Sequence, residues 1–120
     1  MPTKVRCKVK YLKVSSDKFI EVVKGTDSEL TFTYSFNQDI SDYTPFLTVK
    51  LSHNSKHKLI DLEASDFDTT NKKIKFDVPF QDNDLYSRDY VFDVVLEDDI
   101  NEKRLPFTSG IYRVNSSVRY

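Results

Sequence analysis

The chain has very few of the residues that cross-link, kink or loosen a backbone. Its 120 residues include one cysteine, Cys7, two glycines, four prolines and no tryptophan. A single cysteine excludes an intrachain disulfide and cannot by itself form a multi-thiolate zinc site, which favours an intracellular origin. Two glycines are too few for a phosphate-cradling loop.

An excess of charge of one sign and long apolar runs are also missing. The 18 basic residues nearly balance the 19 acidic ones, so no global field directs the chain to nucleic acid or to an anionic membrane. No apolar run follows residues 1–6 as a signal peptide would require, and none approaches a transmembrane length. What is present is 38% hydrophobic, with seven tyrosines and nine phenylalanines. We expect one globular domain over residues 1–120.

Apolar and polar residues alternate with a period of two along most of the chain, which is typical of strands with one buried face. Residues 90–96 are apolar on both faces over part of their length, which predicts a central strand. Pro106 predicts a sheet edge or a strand end before a last strand over 110–118. The best helical candidate, residues 60–67, is short. The other alternating segments are 5–11, 30–36, 47–51 and 74–78, and an apolar run at 19–23 leads into a turn at Gly25.

Seven to nine short strands separated by turns predict an all-β protein with the architecture of a β-sandwich or barrel. The first segment also has a distinct charge pattern, because its apolar positions alternate with Lys4, Arg6, Lys8 and Lys10. This basic face suits nucleic acid or an acidic protein surface, but it equally suits a solvated edge strand whose lysines discourage unwanted pairing. The edge interpretation is favoured.

An unpaired edge near a terminus is a natural place for strand addition to a partner. We therefore predict that residues 1–14 form an edge or partner-binding strand. Its candidate contact residues are Lys4, Arg6, Lys8, Lys10 and Tyr11.

Groups that could carry chemistry are present but scattered. His53 and His57 have a spacing that would bind a metal on a helix, but they flank a polar loop. The fragment Asp82-Asn83-Asp84 has only part of a calcium-loop pattern, and nothing selects a carboxylate pair for a glycosidase. Metal binding and catalysis remain open alternatives. We predict a protein that is not an enzyme, with no cofactor, no metal and no small-molecule substrate.

The order of several motifs resembles the immunoglobulin-like β-sandwich modules of tailed-bacteriophage virion proteins, in particular the N-terminal domain of baseplate upper proteins. The motifs are the turn Lys24-Gly25-Thr26-Asp27-Ser28, the aromatic strand 30–34, the middle strand 46–51, the strand 90–96 and the closing strand Ser109 to Val114. The resemblance spans residues 20–118. The turn departs from the family pattern, because Thr26 separates Gly25 from Asp27.

The resemblance implies an immunoglobulin-like antiparallel β-sandwich. It also implies a non-enzymatic structural component of a phage virion, made in the host cytoplasm, such as a baseplate, tail or capsid decoration protein. Its partners would be other virion proteins in a symmetric assembly, with neither membrane nor nucleic acid involved. The alternative is a soluble binding module for carbohydrate or a host protein. Coplanar exposed tyrosines, for example Tyr11, Tyr43 and Tyr86, would support sugar binding.

Overall fold

A computed structural model describes residues 17–116 of the protein, with side chains from Phe19 onward. These residues form eight strands and no helix, so the prediction of an all-β fold is confirmed. The strands are β1 (Asp17–Val23), β2 (Ser28–Thr33), β3 (Thr44–Lys50), β4 (Ile60–Glu63), β5 (Asp66–Asp68), β6 (Lys73–Val78), β7 (Arg88–Asp98) and β8 (Lys103–Asn115).

The strands form a five-stranded sheet with the order β1-β8-β7-β3-β4 and a three-stranded sheet with the order β2-β6-β5. β7 is the central strand of the larger sheet, as its two apolar faces predicted. Residues 60–67, the best helical candidate in the sequence, form β4 and most of β5 rather than a helix. β4 is the last strand of one sheet and β5 the last strand of the other, so the chain changes sheets over residues 64 and 65.

The two sheets pack face to face around an aromatic core. The Phe32 ring contacts Phe76 of its own sheet at a centroid distance of 5.9 Å and Phe92 of the facing sheet at 6.3 Å. Alternate residues of β2, β3, β6 and β7 are buried, which is why the period of two was visible in the sequence. Fully buried side chains include Leu30, Phe32, Leu47, Val49, Ile74, Phe76, Phe92, Leu96 and Tyr112.

Two details differ from the sequence predictions. β1 pairs with β8 in parallel, with Ile20 opposite Tyr112, so the larger sheet is mixed rather than wholly antiparallel. Parallel pairing needs a long connection, and these strands lie near opposite ends of the described chain. At Pro106 the predicted strand end is wrong, because β8 runs through it, whereas the predicted sheet edge is confirmed among residues 17–116, because β1 pairs only with Ser109 to Asn115 of β8. A register shift between Val94 and Val95 of β7 accommodates the proline, on the half of β8 that β1 does not cover.

Candidate functional site

The candidate contact residues of the first segment lie outside the described residues. Lys4, Arg6, Lys8, Lys10 and Tyr11 all belong to it, as does the predicted strand over residues 1–14. The structure does describe the strand that follows: among residues 17–116, β1 is an edge strand of the five-stranded sheet. The role of the first segment therefore stays a prediction.

An open groove of about 710 Å³ lies at one end of the fold. Three connections meet there: the β1–β2 turn, the β3–β4 loop over residues 51–59 and the β6–β7 loop over residues 79–87. The volume is in the range of pockets that hold a ligand or the anchoring side chains of a partner. The groove is lined by Lys24, Leu51, Ser55, His57, Leu59, Asp84, Leu85, Tyr86, Arg88 and Tyr90.

Much of the groove surface is apolar. Leu59 and Leu85 are half-buried against the core, whereas Leu51 is 47% and Tyr86 85% exposed. Tyr90 is buried, and its hydroxyl donates a hydrogen bond of 2.7 Å to the Tyr86 carbonyl oxygen. Exposed aromatic and leucine side chains beside a half-buried apolar floor are a surface that gains free energy when a partner covers it.

Cationic side chains line the same groove. The Lys24 ammonium lies 3.3 Å from Asp84 Oδ1 and 5.6 Å from the centroid of the Tyr86 ring, and it donates to the Leu85 carbonyl oxygen at 3.1 Å. The Arg88 guanidinium lies 5.6 Å from the centroid of the Tyr90 ring. Contacts of this kind between a cation and a ring face are each worth about 0.5–1 kcal/mol at exposed sites. They favour one arrangement of the groove side chains before any partner arrives.

A buried amide, Asn83, fixes the loop that carries Asp84, Leu85 and Tyr86. Its Nδ2 donates to the Thr26 carbonyl oxygen at 2.8 Å and to Ser28 Oγ at 2.9 Å, and its Oδ1 accepts from the Tyr112 hydroxyl. The Asn83 carbonyl oxygen also accepts from the backbone N–H of Gly25. The β6–β7 loop is therefore tied to the β1–β2 turn and to β8, so Tyr86 stands on a braced loop.

Near neutral pH, the buried tyrosine of the groove does not ionise, so its hydrogen bond does not change. Burial raises the pKa of Tyr90 above its ordinary value near 10, although the Arg88 charge opposes the shift. Tyr90 therefore stays protonated and keeps donating to Tyr86. The groove presents apolar surface, ring faces, cations and one carboxylate already paired with a lysine. These groups suit binding.

The candidate metal and sugar residues have separate positions. His53 and His57 are both exposed in the β3–β4 loop, and His57 lines the groove. Within residues 17–116, no three His, Cys, Asp or Glu residues are grouped so that they could hold a metal ion. The calcium-like fragment is not a ligand loop in this part of the chain, because the Asn83 side chain turns inward to Tyr112.

The proposed tyrosine platform does not form from the two members that the structure describes. Tyr43 directly precedes Thr44, which pairs with Glu97 near one end of β7, whereas Tyr86 precedes Arg88 at the other end of β7. At about 3.3 Å per strand residue, Glu97 and Arg88 are roughly 30 Å apart, so the two tyrosines lie near opposite ends of the strand. Tyr43 is also half-buried against the core.

Comparison with protein-family models and with curated proteins found no match for this chain. Among residues 17–116 there is no helix with the length and apolar character needed to cross a bilayer.

Sequence reasoning missed most of the groove because its residues come from segments classed as polar connections. The β6–β7 loop is acidic overall, yet it contains Leu85 and Tyr86 side by side. A leucine and a tyrosine inside a polar loop are the signal that could have drawn attention to it. That Lys24 and Leu59 lie beside them depends on how the strands pair, which no local pattern shows.

Proposed function

We propose that this protein is a non-enzymatic binding module that acts through protein–protein contacts, with the groove as one contact surface and a tailed-phage virion as its setting. The virion setting is supported by the resemblance of residues 20–118 to immunoglobulin-like virion modules. The two-sheet, all-β architecture is compatible with it.

The observation that carries the binding role is the presentation of Tyr86. It is 85% exposed and stands beside Lys24 and Arg88 over a partly apolar floor. Tyrosine and arginine are enriched among the few residues that dominate interface free energies. The Asn83 hydrogen bonds hold the loop in place, which lowers the entropy lost on binding.

The test is a comparison of particles that carry single variants of this chain. Tyr86→Ala removes the exposed ring from the groove. Ile100→Ala is the matched control, because Ile100 is 93% exposed in the turn between β7 and β8, at the opposite end of the molecule. Incorporation into purified virions, measured by quantitative mass spectrometry, is expected to fall at least about tenfold for Tyr86→Ala. It should be unchanged for Ile100→Ala.

Two results would overturn the parts of this proposal separately. If the wild-type polypeptide is absent from purified virions, the virion setting is wrong. If it is present and both variants incorporate equally, the groove is not the contact surface. Circular dichroism of both purified variants establishes that a loss of incorporation does not come from unfolding.

A further inference from the structure

The charges of this chain are divided unevenly along its length. Five of the 18 basic residues and none of the 19 acidic residues lie in residues 1–16. The remaining residues therefore hold 13 basic and 19 acidic side chains. A near-neutral chain thus consists of a strongly basic first segment and an acidic remainder, which attract one another.

The acidic part includes the outer face of one sheet edge. β4 has β3 on one side and no further strand on the other within residues 17–116. Ile60 is buried and Leu62 half-buried, while Asp61 and Glu63 are exposed on the opposite face. Asp93 lies in the same row as Asp61, two strands further into the sheet. Asp61 and Glu63 thus place two carboxylates on the outer face of an edge that no other strand within residues 17–116 covers.

The first segment has the complementary alternation. Its apolar positions, Val5, Cys7, Val9 and Tyr11, alternate with Lys4, Arg6, Lys8 and Lys10. Added as a strand beside β4, it would extend the apolar face next to Ile60 and Leu62. Its cations would face Asp61 and Glu63, the opposite-charge pairs that stabilise neighbouring strands.

The β1 edge is a poorer match for this segment. The outward side chains described on β1 are Phe19, Glu21 and Val23. Glu21 is the only carboxylate among these described side chains, its Oε2 accepts a hydrogen bond of 2.9 Å from Asn115, and the cationic Arg113 of β8 lies opposite it. On β4, Asp61 has one exposed ion pair with Lys58 at 3.7 Å, a contact of little strength, and Glu63 adds a second carboxylate. The alternation of acidic and apolar side chains that would complement the segment is found on β4.

The segment cannot reach β4 of its own chain. It joins the fold at β1, and a strand added beyond β4 would lie five strand spacings away, about 24 Å. The six backbone steps from Tyr11 to Asp17 span at most about 22 Å even when fully extended in a straight line, and the real path must pass around the sheet. The complementary edge must therefore belong to another molecule.

We propose that residues 4–11 of one copy add as a strand to the β4 edge of a second copy, joining copies of this chain head to tail. The donor and acceptor surfaces differ, so such a contact builds a ring if the rotation closes and a filament if it does not. The inference goes beyond the proposed groove contact, because neither Asp61 nor Glu63 lines the groove.

A charge-swap experiment with the full chain tests this contact. The edge variant carries Asp61→Lys and Glu63→Lys, and the segment variant carries Arg6→Glu and Lys8→Glu. In each variant alone, positions 6 and 8 of the segment carry the same sign of charge as positions 61 and 63 of the edge, so association measured by sedimentation velocity should weaken at least about tenfold. In an equimolar mixture, each segment again faces an edge of opposite charge, and association should return.

The control carries Asp99→Lys and Glu102→Lys, which make the same change of net charge at exposed positions in the turn between β7 and β8. It should associate like the wild type. The proposal is overturned if the wild type stays monomeric up to about 1 mM, if the edge variant associates like the control, or if the mixture does not recover. None of these outcomes depends on virion incorporation or on Tyr86, so failure here is distinguishable from failure of the proposed function.

Discussion

At the scale of single residues, Asn83 joins three parts of the chain that are distant in sequence. Its side chain is fully buried and its amide contacts the β1–β2 turn, the start of β2 and the Tyr112 hydroxyl of β8. A buried polar group is stabilising only while its partners are present, because an unpaired one retains its desolvation cost. The position of Tyr86 in the groove depends on this amide.

Replacing this amide tests the bracing directly. Asn83→Ala removes the acceptor of the buried Tyr112 hydroxyl and the donor to Ser28, so the free energy of unfolding should fall by roughly 2 to 4 kcal/mol. Gln81→Ala, an exposed position in the same loop, should change it by less than about 0.5 kcal/mol. Urea unfolding followed by circular dichroism measures both. Equal effects of the two variants would refute the bracing role.

Tyr112 also predicts how stability responds to alkaline pH. Burial, with a smaller contribution from the Asp82 charge, raises the pKa of its phenol above the ordinary value near 10. Above pH 10 the unfolded chain releases this proton while the folded protein keeps it. The contribution of Tyr112 to the free energy of unfolding is therefore fully present below pH 10 and is lost as the pH rises beyond it.

Tyr112→Phe removes this group from both states and leaves Tyr34 and Tyr90, whose pKa values burial also raises. The variant should be less stable at pH 8 because Asn83 loses a donor. Its unfolding free energy should decline less steeply between about pH 10 and 12. Unfolding titrations at several pH values compare the slopes, and identical slopes would contradict the assignment.

At the scale of elements, two hairpin turns are built on the same pattern, Asp-x-x-Asn followed by a residue with positive φ. In each turn the aspartate accepts hydrogen bonds from the backbone N–H groups two and three residues further on and from the asparagine side chain. These bonds hold the pKa of Asp68 and Asp98 below the usual range. The left-handed position is filled by Lys72 at φ 56° and Glu102 at φ 53°.

Glycine substitutions at these two positions distinguish the effect of backbone strain on stability from the effect of side-chain contacts. A residue with a Cβ pays about 1 kcal/mol or more in the left-handed region, so Glu102→Gly should raise the free energy of unfolding by roughly 0.5 kcal/mol after the entropy of glycine is subtracted. Lys72→Gly relieves the same strain but loses the bond from Nζ to Asn37 Oδ1 at 3.0 Å. Denaturant unfolding should rank Glu102→Gly as the more stable variant; the reverse order would be evidence against this account.

The strands show how far local patterns reach. Alternation predicted β2, β3, β6 and β7 because each has one face in the core. It did not predict β5, where three residues are too few to show a period. It also divided β8 at Pro106, because a proline normally ends a strand. A proline is tolerated there because, among residues 17–116, that half of β8 has a paired strand on one side only and the register shifts opposite it.

At the scale of the whole molecule, pairing between distant segments determines both the core and the surfaces. β1 and β8 lie side by side although their paired residues, such as Ile20 and Tyr112, are far apart in sequence. Within residues 17–116, this pairing puts β1 at one edge of the larger sheet and leaves β4 at the other. The basic first segment is joined to the chain at β1, at the edge opposite the acidic β4, which is why the proposed contact joins separate copies.

The sequence by itself determined the all-β class, the central position of β7 and the turn at Gly25, since these depend on a period of two and on local turn chemistry. Only the tertiary structure decided that Lys24, Leu59 and Tyr86 share a groove, that Asn83 points inward and that β1 runs parallel to β8. Those features arise from contacts between residues far apart in the chain. A local pattern specifies which face of a strand is buried, but not which strand lies beside it.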